Sequence, residues 1–122
     1  MNIVEIIEKK RDKKALTKAE INYFVKEYTK GNIPDYQASA LLMAIYLNGL
    51  NKDEIYELTI SMKNSGKTMN FSRQDLIFAD KHSTGGVGDK TTFLVLPLVS
   101  CCGIFMPKLS GRGLGFTGGT AD

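Results

Sequence analysis

The sequence predicts an α-helical domain followed by the first βαβ unit of an incomplete parallel α/β domain. Three observations carry this expectation. Residues 1–66 contain successive amphipathic runs, each with a recognisable start and stop. Of the twelve glycines, two precede Gly66 and nine follow it, and the dense charge of the first half fades over the same boundary. Beyond residue 75, a short apolar run, a glycine-rich loop, a longer apolar run and a second short apolar run succeed one another. The expected boundaries are a helical domain at 1–66, a hinge at 67–72 and the beginning of an α/β domain at 73–122.

A short amphipathic segment around Ile3, Ile6 and Ile7 opens the chain. TKAE at 17–20 reads as a capping box with Thr17 as N-cap and Glu20 three residues on; Ile21, Phe24, Val25 and Tyr28 follow at helical spacing, and Gly31 stops the run. Pro34 introduces the next run, whose inward stripe is Ala38, Leu41, Leu42 and Ile45 before Gly49. Asn51 and Glu54 form a second cap, with Ile55, Leu58 and Met62 inward and Gly66 at the end. These segments make a four-helix cluster.

In the second half, LIFAD at 76–80 reads as a buried strand, DKTTFLVLPLVSCCG as a helix closed by Gly103, and IFMPKLS at 104–110 as a second strand. A strand, helix and strand in that order form a parallel unit. Pro97 falls inside the helical run, where it removes one backbone bond, so a kink or a late helix start is expected there. The run FLVLPLVSCCGIFM at 93–106 is shorter than the ~18 apolar residues of a membrane span and reads as buried core.

Sixteen basic and thirteen acidic residues give a net charge of +3. The mild excess is interleaved with acids, as in EKKRDKK at 8–14, and lacks the basic stripe with aromatics of a nucleic-acid surface. Adjacent Cys101 and Cys102 cannot make a disulfide framework, and no signal peptide is recognisable, so a reducing cytoplasm is the expected compartment. One histidine cannot supply a catalytic triad or a zinc centre.

Two glycine-rich stretches carry the chemistry: KHSTGGVGDKTT at 81–92 and SGRGLGFTGGT at 110–120. Each follows a predicted strand, and parallel sheets bind ligands at the carboxyl ends of their strands. Glycines let backbone N–H groups converge on one point and a following helix N-terminus adds partial positive charge, an arrangement suited to phosphate. Lys81 and Lys108 add full charges; Ser83, Thr92, Ser110 and Thr120 add short neutral donors. A single such loop is more often only a tight turn, but two with matched lysines and hydroxyls point to an anion. No GxxxxGK[ST] is present, and GRGLGF has only part of the dinucleotide-binding pattern, so neither nucleotide motif applies.

His82, at a strand end between Lys81 and Ser83, suits a site role over a purely solvated one: it can hydrogen-bond a substrate oxygen or pass a proton. Asp89 fits either a base or, better, the cap of the following helix. Arg112, flanked by glycines, fits an anion contact and an aspartate pair equally.

DKHSTGGVGDKTT at 80–92 and KLSGRGLGFTGGTAD at 108–122 together resemble the pyrimidine-nucleoside and thymidine phosphorylases. The segments EIIEKKRDKKALTKAEI and PDYQASALLMAIYLNGL extend the resemblance over essentially the entire chain. It implies a pentosyltransferase that cleaves uridine, thymidine or deoxyuridine with inorganic phosphate, giving free base and (deoxy)ribose 1-phosphate. The implied phosphate contacts are Lys81, His82, Ser83, Thr92, Lys108, Leu109, Ser110 and Thr120, with His82 also the catalytic candidate assisting departure of the pyrimidine. The resemblance further implies a potassium ion on backbone oxygens near Gly88 and Lys90, no organic cofactor, and a homodimer built mainly from the helical domain.

Two departures from the family pattern are visible. Phe116 stands where the family often has histidine, and the sequence stops at Asp122, before the segments that grip the pyrimidine. An N-terminal portion carrying the phosphate half-site, inactive by itself, is therefore expected. The alternative is a noncatalytic helical dimerisation module; a phosphoribosyltransferase of related fold is disfavoured by KLSGRGLGFTGGT.

Overall fold

A computed structural model describes the chain except for Ser72, Gln74, residues 84–87, Leu114, Phe116 and Asp122. The described residues form two compact units, 1–69 and 70–122. The first contains helices α1 (Ile3–Arg11), α2 (Lys18–Thr29), α3 (Asp35–Asn48) and α4 (Lys52–Ser65); the second contains α5 (Lys90–Cys101). Among the described residues, no helix is long and apolar enough to cross a membrane.

The starts of α2 and α4 are fixed locally. Thr17 accepts from the Glu20 N–H while Glu20 accepts from the Thr17 N–H, and Asn51 and Glu54 make the same reciprocal pair. Each box satisfies two backbone donors that a helix start leaves open. Gly31 and Gly49 follow α2 and α3 with φ of 79° and 71°, a left-handed conformation that glycine reaches without a Cβ clash. α1 packs on α3 and α2 on α4. Their shared core is Ile3, Ile6, Ile21, Phe24, Val25, Ala38 and Leu41, joined by Leu16 and Ile33 from the connections.

The inward faces differ in part from the expected stripes. Leu42, Ile55 and Met62 are 51–60% exposed, and Tyr28 lies at the rim, stacked on Phe24 with ring centroids 5.8 Å apart. On α4 the inward face is Glu54, Leu58 and Ser61. Glu54 turns inward because its carboxylate accepts from Lys10 Nζ and from the Leu16 N–H, both at 2.8 Å, and this rotates Ile55 and Met62 toward solvent.

In the second unit the two expected strands reduce, among the described residues, to one parallel bridge between Phe78 and Phe105. Phe105 N–H donates to the Ile77 carbonyl at 2.8 Å and Ala79 N–H to the Phe105 carbonyl at 2.9 Å. The next rung would need a donor from residue 107, which is proline. The preceding rung would need Gly103, whose N–H instead closes α5 on the Ser100 carbonyl at 3.0 Å. The ladder is thus bounded on both sides, and the βαβ order survives with its strands shortened to a contact.

α5 runs from Lys90 through Pro97 to Cys101, so the late start does not occur. The apolar run expected to be buried is largely not: Phe93, Leu94, Leu98 and Phe105 are 53–69% exposed. Cys101 and Cys102 are free and exposed.

Candidate functional site

The Phe78–Phe105 bridge lies three residues before Lys81 on one segment and before Lys108 on the other, so both motifs leave from the same end of it. Lys108 Nζ donates to the Lys81 carbonyl and, at 3.1 Å, to Asp80 Oδ1. The Asp80 carboxyl is held below its ordinary value, first by this Lys108 bond and next by the Lys81 N–H.

Asp89 occupies the N-cap position of α5, but its side chain makes no capping bond to the helix backbone. Its carboxylate gathers side chains instead. Lys81 Nζ donates to Oδ1; the hydroxyls of Thr92 and Thr120 donate to Oδ2, the latter at 2.6 Å. Lys81 Nζ also donates to Thr92 Oγ1 at 2.8 Å. The Lys81 bond, then those of Thr120 and Thr92, hold the Asp89 carboxyl far below the usual carboxylate range, and its side chain is 2% exposed. Three residues expected to hold an anion from outside are therefore tied to one another through an internal carboxylate.

The second glycine cluster folds tightly on itself. Ala121 N–H donates to the Gly111 carbonyl at 3.2 Å. A Cβ on Gly113 would lie 1.9 Å from the Thr117 carbonyl oxygen, and one on Gly119 would lie 2.4 Å from the Gly113 nitrogen, so backbone passes against backbone at both.

An open depression of about 710 Å³ is bounded by the strand-end loop and this cluster. Ser83, Lys108, Ser110 and Thr120 line it, as do His82 and Leu109. Lys81 and Thr92 do not; they stand behind Thr120 in the Asp89 network. Arg112 lines the depression, which favours the anion-facing reading over the aspartate pair. His82 is exposed, with Nδ1 2.9 Å from the Ser83 carbonyl; a carbonyl only accepts, so Nδ1 carries the proton. Gly88, at φ 81°, and Lys90 flank Asp89. Phe116 lies outside the described residues, as do Thr84–Val87 of the first motif and Ser72 of the expected hinge.

The residues missed by sequence reasoning are the acids. Asp80 and Asp89 bracket the first glycine loop, and each takes a lysine; two carboxylates flanking a loop with basic residues were the available signal. Asp89 in particular was expected as a helix cap, and its position is that of a cap while its bonds are those of a hub.

Two family models match the chain: the glycosyl transferase family helical bundle domain over residues 4–66 and the glycosyl transferase family a/b domain over 75–122. This chain belongs to that glycosyl transferase family. Its resemblance to pyrimidine-nucleoside phosphorylases holds over all 122 residues: it is 57% identical to the pyrimidine-nucleoside phosphorylase of Geobacillus stearothermophilus, covering 28% of that protein. Identity to the enzymes of that name from Staphylococcus haemolyticus and Staphylococcus aureus N315 is 56% and 54%, again over the whole chain and 28% of each relative. The chain thus spans under a third of the length of these curated relatives, and what it shares with them is the helical bundle and the opening of the α/β domain.

Proposed function

We propose that this chain supplies the phosphate half-site of a pyrimidine-nucleoside phosphorylase, the enzyme class in which phosphate displaces a pyrimidine from a nucleoside to give pentose 1-phosphate. The observation that carries the reading is the depression lined jointly by Ser83 from the first motif and Lys108, Ser110 and Thr120 from the second. The Lys108 ammonium, the Arg112 guanidinium and three hydroxyls, beside the Asp80 carboxylate on the same rim, suit a phosphate in charge and hydrogen-bonding capacity. His82, exposed on the same rim, is the residue proposed to meet the sugar or base side of the reaction. The base pocket belongs to the remainder of such an enzyme, so these 122 residues bind phosphate without turnover.

Potassium belongs to the same proposal. The carbonyls of Gly88 and Lys90 are neutral oxygen donors, the type that replaces the water shell of a monovalent cation. Two such donors are fewer than an alkali ion's full set, so they fit as part of a site.

The test is the phosphate dependence of thermal unfolding at constant ionic strength, with chloride as control. About 100 Kd of phosphate stabilises a specific site by roughly 2.7 kcal/mol. A saturable, phosphate-selective rise is expected; no rise removes the half-site reading, and phosphate-dependent release of uracil or thymine by the chain overturns its inactivity.

A second reading is favoured by a separate observation and is compatible with the first. Tyr36, Met43 and Leu47 recur on one side of α3, at 73%, 57% and 71% exposure, with Tyr46 beside them at 83%. Such an apolar stripe on a surface helix suits a homodimer through the helical unit, the assembly implied by the resemblance.

A further inference from the structure

We propose that Asp89 is the positioning residue of the anion site and, acting through Thr120, selects an oxyanion that still carries a proton. This rests on the phosphate reading above and deepens it. Asp89 Oδ1 accepts from Lys81, eight residues earlier, and Oδ2 from Thr92 in α5 and from Thr120, 31 residues later. One carboxylate therefore joins the strand-end loop, the helix and the second glycine cluster. Losing it frees three expected phosphate contacts at once.

The direction of those bonds sets the selectivity. An ionised carboxylate only accepts, and a threonine hydroxyl has a single proton, so Thr92 and Thr120 both spend theirs on Asp89. Thr92 in turn accepts from Lys81. Thr120 lines the depression, and its oxygen therefore meets a ligand as an acceptor, among the donors supplied by Lys108, Ser83 and Ser110. A fixed acceptor rewards a ligand oxygen bearing hydrogen and repels a bare anionic one. Near neutral pH phosphate carries at least one proton. Sulfate, of almost the same shape, carries none.

The experiment compares sodium phosphate with sodium sulfate at neutral pH and matched ionic strength, reading the unfolding midpoint and calorimetric Kd of the full chain. Wild type is expected to prefer phosphate by about tenfold, the scale of one hydrogen bond gained or opposed. In Asp89→Asn the new amide N–H faces the Thr120 oxygen, which turns its proton outward, and the preference falls to about twofold or less. Thr120→Val, lacking the hydroxyl, loses the preference likewise, while Thr120→Ser restores it; these two variants decide the matter if the Asp89 variant fails to fold. Binding by Asp89→Asn with the wild-type ratio overturns the inference while leaving the phosphate reading intact. A wild-type chain that binds neither anion sinks that reading and the selectivity with it. The tie itself is then judged by NMR three-bond couplings at Thr92 and Thr120, where rotamer averaging in Asp89→Ala supports it and unchanged fixed rotamers refute it.

Discussion

Lys10 Nζ donates to Glu54 Oε1 at 2.8 Å across 44 residues of sequence, with only 4% and 3% of the two side chains exposed. Glu54 at the same time accepts from the Leu16 N–H and, through its other oxygen, from the Asn51 N–H. One carboxylate thereby fixes the start of α4, the entry to α2 and the end of α1. Removing a single partner of a buried pair strands the other, which costs about 3–5 kcal/mol. Glu54→Ala is expected to fall in that range in urea unfolding. Lys10→Met, which leaves Glu54 its two backbone donors, should cost less.

Acid should loosen this helical unit in a defined direction. Burial alone would raise the Glu54 carboxyl, but the Leu16 N–H, Lys10 and the Asn51 N–H together lower it; at Glu20 the bonds from Lys9 and Thr17 likewise outweigh burial. A carboxyl whose folded value lies below its unfolded one contributes stability that is complete above the unfolded value and lost as pH falls through the folded value. The unfolding midpoint should therefore hold above about pH 5 and drop steadily below the ordinary glutamate value of about 4.3. Circular dichroism melts between neutral pH and pH 3 check this, with Glu54→Gln giving a lower and flatter profile.

Gly113→Ala and Gly119→Ala should abolish the phosphate response without unfolding the helices. The added Cβ at residue 113 would lie 1.9 Å from a backbone oxygen, a separation that only movement of the cluster relieves. The expected result is loss of the whole phosphate-induced stabilisation, about 2.7 kcal/mol at 100 Kd, with unchanged helical ellipticity. Gly66→Ala, where a Cβ meets nothing within 4 Å and which does not line the depression, is the control and should retain the response.

Self-association can be read directly by light scattering after size exclusion. Tyr46→Glu with Leu47→Glu puts two charges on the exposed stripe of α3 and should convert a dimer to a monomer. Both positions are more than 70% exposed in the single chain, so the monomer's own stability should change by less than about 0.5 kcal/mol for each.

The helix starts were legible in the sequence because their causes are local: Thr17 with Glu20 and Asn51 with Glu54 act over three residues. The inward face of α4 was not, since it turns on Lys10, a partner 44 residues away that no periodicity in α4 encodes. The two glycine motifs were expected to converge, and Ser83, Lys108, Ser110 and Thr120 line one depression; what that depression binds is the proposal. Asp89 was read as a cap from its place before α5; its bonds to Lys81 and Thr120 depend on how two loops meet, which spacing along one chain does not reveal. The strands failed for a nearer reason, a ladder stopped by Pro107 on one side and the turned Gly103 on the other.

That bounded bridge works as a single rivet between the two segments. A ladder lengthened past the bridge would demand a donor from residue 107, which has none, or from Gly103, already committed to Ser100. The two segments meet at this bridge, and there Lys81 and Lys108 fall at the same level, each three residues beyond the bridged phenylalanine. Pro107→Ala would lift the stop on one side and let the pairing lengthen toward the two lysines, so the proline's service is to leave that end of the segments open.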